Sequence, residues 1–421
     1  MTTGFVLDAS QQRAVDLVCT ARIGIVTGGP GVGKSTCLRV ALERLDRVGV
    51  RYALCSPTGK AAKRLSEATD GRKAQTLHRL LEYKPPGGFQ RNERYPLEVD
   101  LVIVDESSMV DQMLFAALMR AVRPQRTRVI LVGDANQLPP VGPGRPFGDL
   151  VDWGRVPTVR LEVLHRTTLT SWIHLAAQDL LAGRVPSLER RPDFLWVEVN
   201  DPRWIVPKLR TLVIDGFGRD GKLADAEAQV LIPQRPGIAG IELANPTLQE
   251  ALNPKREGEL TWPRGEWEIR CNDLVIQTKN DYDLEVFNGE IGRVLSVDAS
   301  ALVVDFPGHA EPSVYTREKA STLQLAYALT IHRTQGSEFP WAIVVCHSTH
   351  AFILSRQLLY TGITRAKAGV VLVGDRKGLE RAVGNRRTEI RNTTLTDRLD
   401  DTLEPLEQYD AEEAADAVTV H

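Results

Sequence analysis

The chain has 421 residues, 43% of them hydrophobic and 25% charged, the balance of a globular protein long enough for roughly three domains of ordinary size. No apolar run approaches the ~20 residues that cross a bilayer, and the N-terminus has no signal pattern. The five cysteines form no Cys-x-x-Cys pair, which argues against a structural zinc site or a disulfide framework and predicts a reducing cytoplasm. The net charge of −2 is unevenly spread. Asp397–Asp416 carries nine acids and one base, which leaves +6 on the rest: a mildly basic body that permits contact with a polyanion, and an acidic tail expected to be disordered.

Along the first third, short apolar runs alternate with helical patterns. Ile23–Val26 predicts a buried strand and Cys37–Arg47 a helix. Between them lies Gly28-Gly29-Pro30-Gly31-Val32-Gly33-Lys34-Ser35-Thr36, which fits the phosphate-loop pattern G-x-x-x-x-G-K-[ST]. Its glycines let backbone N–H groups turn inward as an anion nest at a helix N-terminus. Lys34 is placed to reach the β- and γ-phosphates of a nucleoside triphosphate, and the Ser35 hydroxyl to ligate magnesium.

Tyr52–Cys55, Leu101–Val104 and Val129–Val132 predict three further strands, each ending in a polar turn that leads into helix. That is the pattern of a parallel sheet covered on both faces. Between the first two of these, Tyr83–Pro96 is rich in proline, glycine and charge and predicts a protruding loop or short hairpin. Phe89, near its tip, is a ring able to wedge against a duplex fork or stack on a base. Leu101–Val104 runs into Asp105-Glu106. Adjacent acids are common on protein surfaces, but at the end of a strand downstream of a phosphate loop they suit magnesium binding through water (Asp105) and polarisation of an attacking water (Glu106). Val129–Val132 runs into Gly133-Asp134-Ala135-Asn136-Gln137-Leu138-Pro139-Pro140, where Gln137 is placed to sense the γ-phosphate.

A second alternating unit follows at Gln229–Ile232, Ala342–Val345 and Val370–Val373. Leu274–Gln277, Gly292–Val297 and Leu302–Phe306, with the Asn288-Gly289 turn, predict a small antiparallel barrel or sheet inserted into it. Trp153, Trp172, Trp196 and Trp204 read as packing residues.

Taken in order, these stretches resemble superfamily 1 helicases of the RecD-like family, in a short form without the extra N-terminal region that longer members carry. The resemblance covers nearly the whole chain. In Leu7-Asp8-Ala9-Ser10-Gln11, Gln11 takes the place of the glutamine that reads the adenine edge. Ser56-Pro57-Thr58-Gly59-Lys60-Ala61-Ala62-Lys63 and Thr76-Leu77-His78-Arg79-Leu80-Leu81 are similar to two single-strand contacts of the family. Leu164-His165-Arg166 matches the first arginine sensor. Leu325–Phe339, with Thr330, His332 and Glu338, is the most family-specific stretch, and Leu359–Lys367 brings Arg365 as the second arginine. Arg333-Thr334 stands where Lys-Ser is more frequent, and His165, Thr167 and Gly362 where Phe, Gln and Ala are usual. None of these departures removes a group with an assigned role.

The resemblance implies an α/β fold of two RecA-like phosphate-loop domains, with a hairpin insertion in the first and a small β-rich insertion in the second. It divides the chain into 1–160 (insertion 83–96), 161–396 (insertion 268–322) and the acidic tail 397–421. It further implies an ATP- and magnesium-dependent monomeric motor acting on single-stranded DNA and duplex–single-strand junctions, moving 5′→3′, with no membrane partner. Lys34, Ser35 and Asp105 would position nucleotide and metal, Glu106 would orient water, and Gln137 would couple hydrolysis to the DNA groove. Arg166 and Arg365 would reach the γ-phosphoryl across a cleft between units, an arrangement worth ~10³–10⁵ in rate. Thr58, Lys60, Lys63, His78, Thr330 and His332 would contact the strand backbone, and Glu338 the nucleotide sugar. The alternative reading of the same residues is a DNA-stimulated ATPase that clamps or remodels nucleoprotein without unwinding.

Overall fold

The computed structural model describes residues 7–163, 171–215, 228–386 and 391–402; Arg166 and most of the acidic tail lie outside these. The first unit is a six-stranded sheet: β1 (Ile23–Gly28), β2 (Tyr52–Ser56), β3 (Ala74–Thr76), β4 (Leu101–Val104), β5 (Arg128–Gly133) and β6 (Thr158–Leu161). The order is β3-β2-β4-β5-β1-β6, parallel throughout. Its central strands are continuous apolar runs because both faces are covered. One face packs Leu38, Leu42 and Leu65, the other Leu77, Leu114 and Phe147.

The second unit contains β7 (Phe194–Glu198) and β8 (Ala228–Ile232). After a small hairpin that pairs Trp262–Arg264 with Trp267–Ile269 come five short strands, β9 (Leu274–Gln277), β10 (Ile291–Val297), β11 (Leu302–Asp305), β12 (Ser313–Tyr315) and β13 (Leu323–Leu325). They form an antiparallel sheet of order β12-β11-β10-β9-β13 with its own core around Val294, Phe306 and Tyr315. The chain then returns to the second parallel sheet with β14 (Ala328–Thr330), β15 (Phe339–Cys346) and β16 (Ala366–Gly374), giving β14-β8-β15-β16-β7. Two parallel sheet cores of this kind fit the RecA-like pair of domains expected from the sequence. No described helix is long and apolar enough to cross a membrane.

Three placements differ from the sequence reading. The hairpin within 83–96 pairs Tyr83–Lys84 with Gly88–Phe89, so Pro85-Pro86-Gly87 make the tip and Phe89 lies at the foot. Its ring is half-buried, 5.0 Å from Tyr83 and 5.7 Å from His78, and rests on the first unit's core. It is therefore not the free wedge expected; Tyr83, 47% exposed, is the ring of this trio that faces outward. Trp204 is 65% exposed instead of packed. Finally, the acidic stretch begins in ordered structure. Leu395 and Leu399, one helical turn apart, pack on the first unit's core, and the Trp153 indole N–H donates to Asp400 at 2.9 Å. The apolar stripe escapes a reading by composition because acids surround it.

Candidate functional site

The phosphate loop leaves β1 at Gly28 and enters the helix Lys34–Arg47 through Gly31 and Gly33, both in left-handed backbone conformation (φ 80° and 89°). Only glycine adopts that conformation freely, and it turns successive N–H groups to one side, beside the unpaired amides of the helix's first turn. The Lys34 ammonium folds over the loop, donating to the carbonyls of Gly28 (2.6 Å) and Gly29 (2.9 Å). Gln11 closes a capping box with Asp8 at the start of the helix Ala9–Thr20, and its side-chain amide donates to Val32 O at 3.3 Å. It thus fastens the loop to that helix.

Asp105 and Glu106 follow β4. Asp105 is partly exposed at the end of its strand; desolvation first, and Glu106 beside it second, push its carboxyl upward, while the charges of Lys34 and Arg64 oppose the shift. Two adjacent carboxylates downstream of a phosphate loop form an oxygen donor set whose mutual repulsion outweighs the nearby cations. With the Ser35 hydroxyl, that set suits magnesium. Glu106 holds a left-handed conformation (φ 51°), uncommon for a side-chain-bearing residue and typical of strain kept at working sites. Gln137 is buried, donates to Asp134 at 3.3 Å, and has a side-chain oxygen with no partner.

The second unit meets this surface through the helix Arg356–Ile363 and the segment 335–338. Tyr360 donates to Asp134 at 2.9 Å, and a methyl group on Gly29 would stand 3.2 Å from the Tyr360 hydroxyl. Leu138 N donates to the Thr361 hydroxyl (3.0 Å), and Gln335 donates to Leu138 O (3.1 Å). Arg365 is buried, donating to Thr361 O (3.0 Å) and Ser337 O (3.2 Å). Burial pushes its guanidinium down, and Glu106, Glu338 and Asp134 act against that. A cleft of about 540 Å³ opens between the units, lined by Gly29 to Val32 on one side and Glu338, Tyr360, Thr364 and Lys367 on the other. Glu338 pairs with Arg64 (2.7 Å) and Lys367 (3.1 Å). Tyr360, Thr361 and Arg64 are the contributors that motif reading passed over; each sits beside a residue it singled out.

The residues expected to touch a strand divide differently. Thr58 caps the helix Gly59–Ala68, accepting from Ala61 N. Lys60 and Lys63, on that helix, face the antiparallel insert. Lys60 donates to Gly289 O (3.0 Å), and Lys63 pairs with Glu290 (3.3 Å). Phe287 seals the contact, because only a residue without Cβ fits at Gly59: an added carbon would lie 2.3 Å from the ring. Thr330 and His332 sit at the end of β14, where burial pushes the His332 imidazole down. His78 is exposed at the hairpin's foot. Arg166 lies outside the described residues.

The Lys60 contact gives a titration test. Burial, then Arg64, push its ammonium down to about 8, with Glu290 opposing. The unfolded chain keeps this proton to about pH 10.4, so the buried charge costs stability below pH 8. The cost disappears as pH rises from 8 through 10.4, where the unfolded state alone binds the proton. Lys60→Met removes this term, so wild type is expected to gain ~1–2 kcal/mol on the variant between pH 8 and pH 10. Denaturant melts at the two pH values check it, and a constant difference would show that Lys60 does not titrate in that window.

Comparison with known proteins places these features in one setting. Residues 11–143 match an AAA domain family, 244–306 the SH3 domain of ATP-dependent RecD-like DNA helicases, and 325–373 the UvrD-like helicase C-terminal domain. The chain is 39% identical over 394 residues to the ATP-dependent RecD2 DNA helicase of Deinococcus radiodurans, spanning 93% of this chain and 52% of that protein. It is 34% identical over 437 residues to the RecBCD enzyme subunit RecD of Mycobacterium tuberculosis, spanning 95% of this chain and 74% of that one. It therefore covers about half the length of the first relative and about three quarters of the second. In fold it is similar to a Pif1 helicase described for DNA unwinding at forked duplex DNA (TM-score 0.59, 20% identity, 95% of this chain and 98% of that one). It is also similar to Bacteroides Pif1 bound to single-stranded DNA (TM-score 0.58, 18% identity, 96% and 98%).

Proposed function

The chain belongs to the RecD-like family of superfamily 1 helicases, and on that premise we propose that it is an ATP-hydrolysing motor that runs along single-stranded DNA and separates duplex ahead of it, in the 5′→3′ direction. One observation carries the reading. The phosphate loop and Asp134 of the first unit lie directly against Tyr360 of the second, with Arg365 buried behind them. Hydrolysis at such a seam changes the relation of the two units, which is what a stepping motor needs.

In this mechanism the loop amides and Lys34 hold the β- and γ-phosphates, with the Gly28 and Gly29 carbonyls releasing the ammonium as they do so. Ser35 and Asp105 would hold magnesium, which would neutralise part of the phosphate charge. Glu106 orients the attacking water, and Arg365, with Arg166, stabilises charge developing on the transferring phosphoryl group. Gln137 and Leu138 report the state of the γ-phosphate to Thr361 and Gln335. Thr58, Lys60, Lys63, His78, Thr330 and His332 contact the strand backbone. Such contacts are insensitive to sequence, and Lys60 and Lys63 become available when the insert moves off them. The motor units follow the expected division near residue 160, with the segment carrying Leu395 and Leu399 resting on the first unit, and the site of action is the cytoplasm.

The test is steady-state ATP hydrolysis with and without single-stranded DNA, with Glu106→Gln as the blank, followed by strand displacement on a duplex bearing a 5′ single-stranded tail. Strong stimulation that vanishes in the blank, together with displacement, is expected. Stimulation without displacement favours a nucleoprotein clamp, and equal slow rates with and without DNA would end the motor reading.

A further inference from the structure

Three prolines and two glycines crowd the segment Pro139-Pro140-Val141-Gly142-Pro143-Gly144. Proline has no N–H to give, so this loop folds without a backbone ladder of its own, and its carbonyls must find donors elsewhere. Three of them find one side chain. Arg391, beyond the second parallel sheet, donates to Pro140 O (2.7 Å), Gly142 O (2.5 Å) and Gly144 O (2.9 Å). Its cationic neighbour Arg145 is itself held by Asp149 at 2.9 Å. A planar fork with five N–H groups can span three carbonyls, whereas an ammonium cannot do so with comparable geometry.

The position of this loop gives the contact its meaning. It continues from Asp134, Gln137 and Leu138, the residues through which the first unit touches Tyr360, Thr361 and Gln335. Its front is thus gripped by the second unit, and its rear by a segment that has left the second unit and docked on the first. Leu395, Leu399 and Asp400 anchor that segment on the first unit's core and on Trp153. Without Arg391 the rear of this Pro- and Gly-rich loop would keep the bond from Gln112 N to Pro143 O (2.9 Å) but lose three others, and would take up part of a displacement of Leu138 by deforming. Held at both ends, it transmits the displacement.

We infer that Arg391 is a positioning residue of the motor: it stiffens the 139–144 loop so that strand binding and nucleotide hydrolysis remain coupled through Gln137 and Leu138. The inference rests on the motor reading above. Arg391→Ala is expected to keep the basal rate and the KM for ATP while lowering the rate with saturating oligothymidylate roughly tenfold, within the usual range of coupling between sites. Arg391→Lys should fall nearly as far, and it serves in place of the alanine variant should that fail to fold. Wild-type stimulation in both variants overturns the proposal. So does a proportional fall of basal and stimulated rates, which is the mark of a purely structural contact. Absence of stimulation in the wild type overturns the motor reading, and this inference with it, whereas the first two outcomes leave the motor reading standing.

Discussion

Arg365→Ala is expected to bind ATP within a few-fold of wild type and to turn it over about a thousandfold more slowly, at the lower end of what an arginine acting on a phosphoryl transition state supplies. The difference between the two effects follows from where the charge is needed. A guanidinium that acts on the γ-phosphoryl gains most when the oxygens take up charge in the transition state, so its removal appears in kcat and little in affinity. Arg365 is already held in the right neighbourhood. It is buried, bonded to Thr361 O and Ser337 O, and lies in the field of Glu106 and Asp134 across the seam. Ser337 O loses the Arg365 donor in the variant, while Thr361 O keeps the Thr364 hydroxyl (3.2 Å), so a fall in melting temperature is also expected, and nucleotide affinity must be measured on the folded fraction. Arg365→Lys separates charge from geometry, because an ammonium cannot reproduce the planar fork. Phosphate release at saturating ATP is the measurement; turnover of the alanine variant within tenfold of wild type would remove Arg365 from the mechanism.

What could be read from residues alone follows from how local the physics is. The phosphate loop was fully legible because its conformation is set by its own glycines and the adjoining helix. The inner strands were legible because burial on both faces makes them continuous apolar runs. β3, β6, β7, β12, β13 and β14 were not expected: all six are edge strands, four of them are only three residues long, and the Phe-Leu-Trp-Val-Glu of β7 carries little pattern. Phe89 was placed at the wrong end of its hairpin because Pro85-Pro86-Gly87, not the aromatic residue, sets the turn.

The functional groups divide along the same line. Lys34, Asp105 and Gln137 carry their meaning in neighbours a few positions away. The partners of Lys60 and Lys63 lie in an insert more than two hundred positions downstream, so a reading of motifs identified cations but not what holds them. Arg391 was invisible for the same reason: it was read as part of the second unit and the residues from 397 on as a tail, while Leu395 and Leu399 make the segment across that boundary a strap on the first unit. Tyr360 was quoted within a motif yet given no role, since only the juxtaposition with Asp134 and Gly29 reveals one.

Lys34→Ala should abolish hydrolysis altogether, with a loss of at least ~10³ in kcat, beyond that of deleting a single neutral donor at an oxyanion. Alanine has the highest intrinsic helix propensity. The two carbonyls that Lys34 satisfies, Gly28 and Gly29, border an open cleft where water can replace it. The melting temperature should therefore stay close to wild type, so the loss cannot be assigned to unfolding. Because this ammonium meets the phosphates whether or not a strand is bound, basal and DNA-stimulated rates should disappear together. That pattern separates it from Arg391→Ala, which should lower only the stimulated rate. The pair of variants then distinguishes the chemistry of the site from its connection to DNA. If Lys34→Ala kept even a hundredth of wild-type turnover, the phosphate loop would not be the hydrolytic centre, and every role assigned around it would have to be reconsidered.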